Sequence, residues 1–175
     1  VREHRELLGS IEGVAREEGE LFGYLETRLE GALAHEPAVI NHIVARSAAI
    51  KSEIVEEDEF EQGRRRLLNF GHTVGHAVEK LEGIAHGQAV AKGMAVACAF
   101  STRLAGLSPE AAARVVDLIN AYHLPTATSR DAREISAYFR MDKKREAASI
   151  HFILLEEIGR ARTQRMPLEE LDARL

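Results

Sequence analysis

Two histidines, His72 and His76, stand four residues apart in the stretch RRRLLNFGHTVGHAVEK, each directly after a glycine, Gly71 and Gly75. On a helix that spacing puts both imidazoles on one face, within reach of a common ligand. A third histidine, His86, opens the next apolar segment, IAHGQAVAKG. A turn between two antiparallel helices would fold it back towards the first two. Neutral imidazoles are ordinary zinc ligands, and a catalytic zinc takes at least three protein ligands, commonly with a carboxylate among them. The chain has many carboxylates, and their spacing singles out none. Thr73 occupies the place where a zincin protease needs its glutamate base, which argues against that chemistry. The competing reading is a pair of histidines held by ordinary hydrogen bonds. The glycines weigh against it. Each costs about 1 kcal/mol relative to alanine inside a helix, and that cost makes sense where a backbone or a ligand must approach closely.

Cations surround this core. Lys51 ends the preceding helical segment, Arg64, Arg65 and Arg66 come just before the histidines, and Lys143 and Lys144 sit in RMDKK. Such residues are usually solvated surface charges. Gathered by the fold, they would instead form a pocket for phosphate or carboxylate, with Asn69 adding a neutral hydrogen bond. The acidic run Glu56–Glu61 reads as a solvated face, and Cys98 as a buried, inert thiol.

The elements that must position these residues are mostly helical. ELFGYLETRLEGAL places Leu21, Tyr24, Leu25, Leu29 and Leu33 on one stripe. HEPAVINHIVARSAAIKSEIVEEDE starts at a proline and carries Val39, Ile40, Ile43 and Ile50 at helical spacing. The histidine stretch reads as part of a long helical segment. HGQAVAKGMAVACAFSTRLAG reads as a buried helix packed closely on its neighbours and ended by Gly106. In LSPEAAARVVDLINAYHLP, Ser108 caps a helix, Pro109 suits its first turn and Pro125 follows its end. SRDAREISAYFRMDKK is a further helix. Only SIHFILLEEIGRARTQRM alternates as a strand should, with Ile150, Phe152 and Leu154 opposite His151 and Ile153, and Gly159 turning into a second short strand. The expected fold is therefore mainly α: a single multi-helix domain over residues 1–175 with a small β-hairpin near its C-terminus.

Bulk properties exclude several classes of function. At 175 residues and 45% hydrophobic, the chain can bury a core without staples. A net charge of -5 does not suggest a broad nucleic-acid surface. One cysteine rules out an intrachain disulfide and a thiolate zinc cluster. The most apolar run is broken by Lys92 and too short to span a bilayer, and the first ten residues have no signal-peptide core, so a cytoplasmic protein or fragment is expected. No strand–Gly-rich turn–helix unit occurs, so this chain alone is not expected to bind NAD.

In order along the chain, IKSEIVEEDEFEQGRRRLLNFGHTVGHAVE, HGQAVAKGM, RMDKK and FILLEEIGRA resemble the 3-dehydroquinate synthase family, specifically its C-terminal metal-binding domain. The core resembles the family's R-x-x-x-N-x-G-H-T-x-G-H-A pattern, and the likeness runs from Glu20 to the C-terminus. The resemblance implies a lyase of the shikimate pathway, hence of aromatic amino acid biosynthesis. It would convert 3-deoxy-D-arabino-heptulosonate 7-phosphate to 3-dehydroquinate and phosphate with a divalent metal, Zn2+ or Co2+, and transient NAD. It implies His72 and His86 as metal ligands and His76 as a hydrogen-bond partner of substrate and phosphate. Lys51, Arg65 and Asn69 would bind the substrate, joined by Lys143 or Lys144, with Lys144 preferred. It further implies an NAD-binding N-terminal domain or subunit, absent here, and a homodimer in the full-length form.

Two departures stand out. The family's third metal ligand is a glutamate in an A-E-x-x-K segment, where an ungapped count puts Gly9 at the glutamate and Glu12 at the lysine. Glu12 serves as a ligand if its helix shifts by a turn. Gln88 also replaces the glutamate of the family's H-G-E-A-V. Other sugar phosphate cyclases, of the 2-deoxy-scyllo-inosose or valiolone synthase type, share the histidines. A non-catalytic helical interaction module is the remaining alternative.

Overall fold

A computed structural model describes residues 19–60, 63–142, 149–167 and 170. The chain is mainly helical with one antiparallel hairpin near its end, as its periodicity indicates. The first apolar stripe is split into α1 (Gly19–Thr27) and the short α2 (Leu29–Leu33) rather than forming one helix. The Thr27 hydroxyl donates back to the carbonyls of Gly23 at 2.8 Å and Tyr24 at 3.2 Å. That bonding competes with the backbone ladder and favours a break at the next residue. Leu21, Phe22 and Leu25 are buried, while Leu33 lies partly in solvent.

Helix α3 (Pro37–Glu57) begins at its proline and buries Val39, Ile43, Ile50 and Ile54. Just beyond it, the Asp58 carboxylate accepts from the backbone N–H groups of Gly63 at 2.8 Å and Arg65 at 3.0 Å. Asp58 is thus a turn-forming residue within a run that otherwise reads as solvated. The turn leads into a 3-10 helix, Arg64–Asn69. The expected long helical segment is interrupted here. Gly71 takes φ +79°, a left-handed conformation through which no right-handed helix can run. Helix α4 (His72–Glu82) starts immediately after it.

Gly83, at φ +66°, ends α4, and three residues later α5 (His86–Leu104) runs back along it. The glycines make this hairpin unusually close. A Cβ on Gly93 would lie 2.0 Å from the Gly71 carbonyl oxygen and 2.7 Å from the Gly75 nitrogen. A Cβ on Gly75 would lie 3.0 Å from Cα of Val90, and one on Gly71 2.5 Å from Cγ of Met94. Of the two reasons that would justify these glycines, backbone approach is therefore the operative one. Bulk at Gly71 would strike α5, not a ligand.

Helix α6 (Pro109–Ala121) is capped as its sequence suggests, the Ser108 hydroxyl accepting from the Ala111 N–H at 3.1 Å. Helix α7 spans Ala132–Asp142. Strands β1 (Ser149–Glu157) and β2 (Arg160–Pro167) pair antiparallel around Gly159. The expected inside–outside alternation of β1 is not observed. Ile153 and Leu155 pack into one core, with Leu25, Ile43, Met94 and Tyr122. Ile150, Phe152 and Leu154 pack into a second, with Val74, Val78, Phe100 and Phe139. A strand sandwiched between two cores needs apolar side chains on both faces. Ser101 pins it in place: its hydroxyl donates to Ala97 and accepts from the Leu155 N–H. Among the described residues no helix is long and apolar enough to cross a membrane.

Candidate metal centre

His72 is the first residue of α4, His76 lies one turn on, and His86 is the first residue of α5. Because α5 folds tightly back on α4, the three rings meet. Their centroids are 5.5 Å apart for His72–His76, 5.3 Å for His72–His86 and 5.7 Å for His76–His86. One ring nitrogen from each lies within 4.8 Å of the other two. With zinc–nitrogen bonds of about 2.0–2.1 Å in tetrahedral geometry, two ligand atoms of one ion lie about 3.4 Å apart. A pair at the full 4.8 Å would have to close by about 1.4 Å to share an ion.

The electrostatics suit such an ion. Burial lowers the pKa of His76, and the neighbouring His72 and His86 lower it further against the opposing pull of Glu79. The positive ends of two helix dipoles also disfavour imidazolium here. His76 is accordingly a neutral donor at pH 7. Glu79 Oε2 lies 2.9 Å from His86 Nδ1. That hydrogen bond holds the Glu79 carboxyl below its ordinary range, partly opposed by burial.

A cavity of about 470 Å³ opens beside His76. Glu79 and Lys80 of α4 line it with Tyr138 and Phe139 of α7 and His151 of β1. The Thr73 hydroxyl, donating to the His151 carbonyl at 3.0 Å, ties that wall to the start of α4. Lys51, Arg65 and Asn69 do not line this cavity. Lys51 is exposed on α3, and Arg65 Nη1 donates to the Glu59 carbonyl at 2.8 Å. Asn69 is half-buried at the end of the 3-10 helix. Glu12, Lys143 and Lys144 lie outside the described residues. The structure thus gathers the histidines, and among the described residues the cation that lines the cavity beside them is Lys80. Lys80 and Glu79 could have been found by counting one turn and three residues on from His76. Tyr138 and His151 arrive through tertiary packing and leave no local signal.

Residues 12–145 match the sequence profile of the 3-dehydroquinate synthase C-terminal family. The chain belongs to that family. It is 36% identical to the 3-dehydroquinate synthase of Thermoanaerobacter pseudethanolicus over 175 aligned positions, covering 95% of this chain and 49% of that protein. It is 43% identical to the enzyme of Methylacidiphilum infernorum over 123 positions, covering 67% of this chain and 34% of that one. The chain spans half or less of the length of these curated relatives. Its fold is that of a 2-epi-5-epi-valiolone synthase from Streptomyces hygroscopicus solved with NAD+ and Zn2+, with a TM-score of 0.82 at 24% identity, over 99% of this chain and 50% of that one. A 2-deoxy-scyllo-inosose synthase, solved with carbaglucose-6-phosphate, NAD+ and Co2+, superposes with a TM-score of 0.79 at 21% identity, over 96% of this chain and 49% of that one.

Proposed function

We propose that this chain is the metal- and substrate-binding half of a 3-dehydroquinate synthase, which converts 3-deoxy-D-arabino-heptulosonate 7-phosphate to 3-dehydroquinate and phosphate. The observation that carries the reading is the convergence of His72, His76 and His86 in a member of this family. NAD would be supplied by a separate domain or subunit.

His72 and His86 would hold a Zn2+ or Co2+ ion, with Glu12 as the candidate third ligand. When bound, the ion supplies Lewis acidity at the substrate hydroxyl that is oxidised and at the resulting ketone. His76, neutral and beside the cavity, would hydrogen-bond the substrate and its departing phosphate. Its place within the same 4.8 Å also admits it as a nitrogen ligand, which the chemistry of the donor set favours equally. Lys51, Arg65, Asn69 and one of Lys143 and Lys144 would bind the carboxylate, hydroxyl and phosphate groups. Loss of phosphate requires donors and cations on the leaving oxygens, and these side chains are of that type. The walls formed by α7 and β1 would limit water around the reacting groups.

A second reading, another sugar phosphate cyclase, draws on the solved valiolone and inosose synthases of the same fold. The deciding experiment joins the chain to the NAD-binding half of a 3-dehydroquinate synthase. With NAD and Co2+, it should release phosphate from the heptulosonate phosphate and form 3-dehydroquinate. Turnover of a hexose 6-phosphate instead would favour the second reading, and no turnover of either would favour an inert module.

A further inference from the structure

We propose that Glu79 is a positioning residue for the metal centre, fixing the tautomer and the ring plane of His86 so that Nε2 is the atom offered to the ion. The inference rests on the metal-centre reading above.

Glu79 and His86 lie on different helices, at opposite ends of the Gly83–Ala85 turn, yet Oε2 and Nδ1 are 2.9 Å apart. An ionised carboxylate can only accept hydrogen bonds, and a glutamate of ordinary pKa is ionised at pH 7. The proton of a neutral His86 must therefore sit on Nδ1 for this contact to hold. A neutral imidazole carries one N–H, so Nε2 is left with its lone pair free to bind a metal. A carboxylate behind a ligating imidazole also raises its basicity and restrains ring rotation.

The same side chain is well placed along α4. Glu79 is three residues beyond His76 and seven beyond His72, so it shares their face of the helix. His72 and His76 are held by the helix that bears them. His86 begins a new helix after a three-residue turn, and its side chain is about a third exposed. It thus lacks the shared helix that sets the other two side by side, and the contact across the turn ties it to that helix. A purely structural clip across the turn would give the same distance, so the test must read the ring itself.

The test uses the whole chain, its Glu79→Ala variant and its conservative Glu79→Gln variant, whose amide oxygen can still accept from Nδ1–H. Long-range 1H–15N correlation of the metal-free proteins at pH 7.5 reports which nitrogen of His86 bears the proton. Titration with Co2+ reports affinity. The expected result is Nδ1–H in the wild type, a shift towards Nε2–H in Glu79→Ala with about 10–100-fold weaker Co2+ binding, and recovery of the tautomer and most of the affinity in Glu79→Gln. A wild-type ring in the Nε2–H form, or a Glu79→Ala variant that binds Co2+ within twofold of wild type, overturns the positioning role alone. A wild-type chain that binds no Co2+ at all overturns the metal centre, and this role with it.

Discussion

The α4–α5 hairpin and the segment from the end of α3 through the 3-10 helix both carry residues expected to do chemistry, but they prepare them differently. In the hairpin, Gly71, Gly75 and Gly93 let two helix backbones touch, and the three histidines converge as a consequence. In the other segment the guanidinium groups turn to the chain's own acceptors, Arg64 to Glu57 and Arg65 to the Glu59 carbonyl. The histidine end is preorganised by packing, whereas the cation end consists of long side chains that would have to exchange partners to hold an anion. Packing fixes positions to within tenths of an ångström, while exposed ion pairs contribute little and rearrange readily.

Breaking the hairpin should have the largest effect. Gly93→Ala sets a methyl 2.0 Å from the Gly71 carbonyl oxygen, and both partners are backbone, so neither can swing aside. A loss of more than about 3 kcal/mol is expected in urea denaturation, or failure to fold, as helices forced apart lose the packing between them. If Gly93→Ala folds with wild-type stability, the close approach is not what holds the histidines together.

A smaller effect is expected at the closing end of the same hairpin. The Glu82 carboxylate accepts from Lys92 at 2.5 Å, Thr128 at 2.6 Å and the Ser129 N–H at 2.9 Å. Burial alone would raise its pKa, but the hydrogen bonds together outweigh it and bring the carboxyl down to about 2. A folded pKa below the ordinary value stabilises the fold fully above about pH 4.5, and that contribution is lost as pH falls towards 2. Glu82→Gln should therefore cost about 2 kcal/mol at pH 7. The deficit should shrink to roughly half or less near pH 3 and vanish only as pH falls to about 2. Equal losses at pH 7 and pH 3, measured by urea titration, would contradict this origin.

The smallest effect on stability belongs to the cation end. Arg65→Ala should change stability by less than about 0.5 kcal/mol, since the side chain is largely superficial. Phosphate binding, followed by calorimetry, should nevertheless weaken about tenfold, since a guanidinium contact to an anion contributes on the order of 1.4 kcal/mol. Unchanged phosphate affinity would remove Arg65 from the substrate site and leave Lys80 as the cation to examine.

Much of this could be seen in the sequence, for reasons that are local. Pro37, Ser108–Pro109 and Gly159 act through their own backbone neighbours, so the starts of α3 and α6 and the turn of the hairpin could be placed in advance. The histidine trio followed from helix periodicity plus one short turn. The break at Gly71 could not be foreseen in the same way, because a glycine costs a helix little enough to be tolerated inside it. Its surroundings are tertiary: a Cβ there would strike Met94 and Val90, which lie some twenty residues away. Ile153 likewise reads as one face of an alternating strand until two cores close on it. Tyr138 and His151 join the cavity only once α7 and β1 have packed against α4.

The most direct test of the central claim is a count of metal ions. The chain, stripped with chelator and titrated with Co2+, should bind one ion and develop the visible absorption of a four- or five-coordinate site. His72→Ala and His86→Ala should each abolish that absorption while the helical circular dichroism is retained. His76→Ala separates ligand from substrate donor: loss of absorption makes it a ligand, retention with weaker phosphate binding makes it a donor. No stoichiometric Co2+ in the wild type, or undiminished binding in both His72→Ala and His86→Ala, would contradict the assignment of a metal centre to these three histidines.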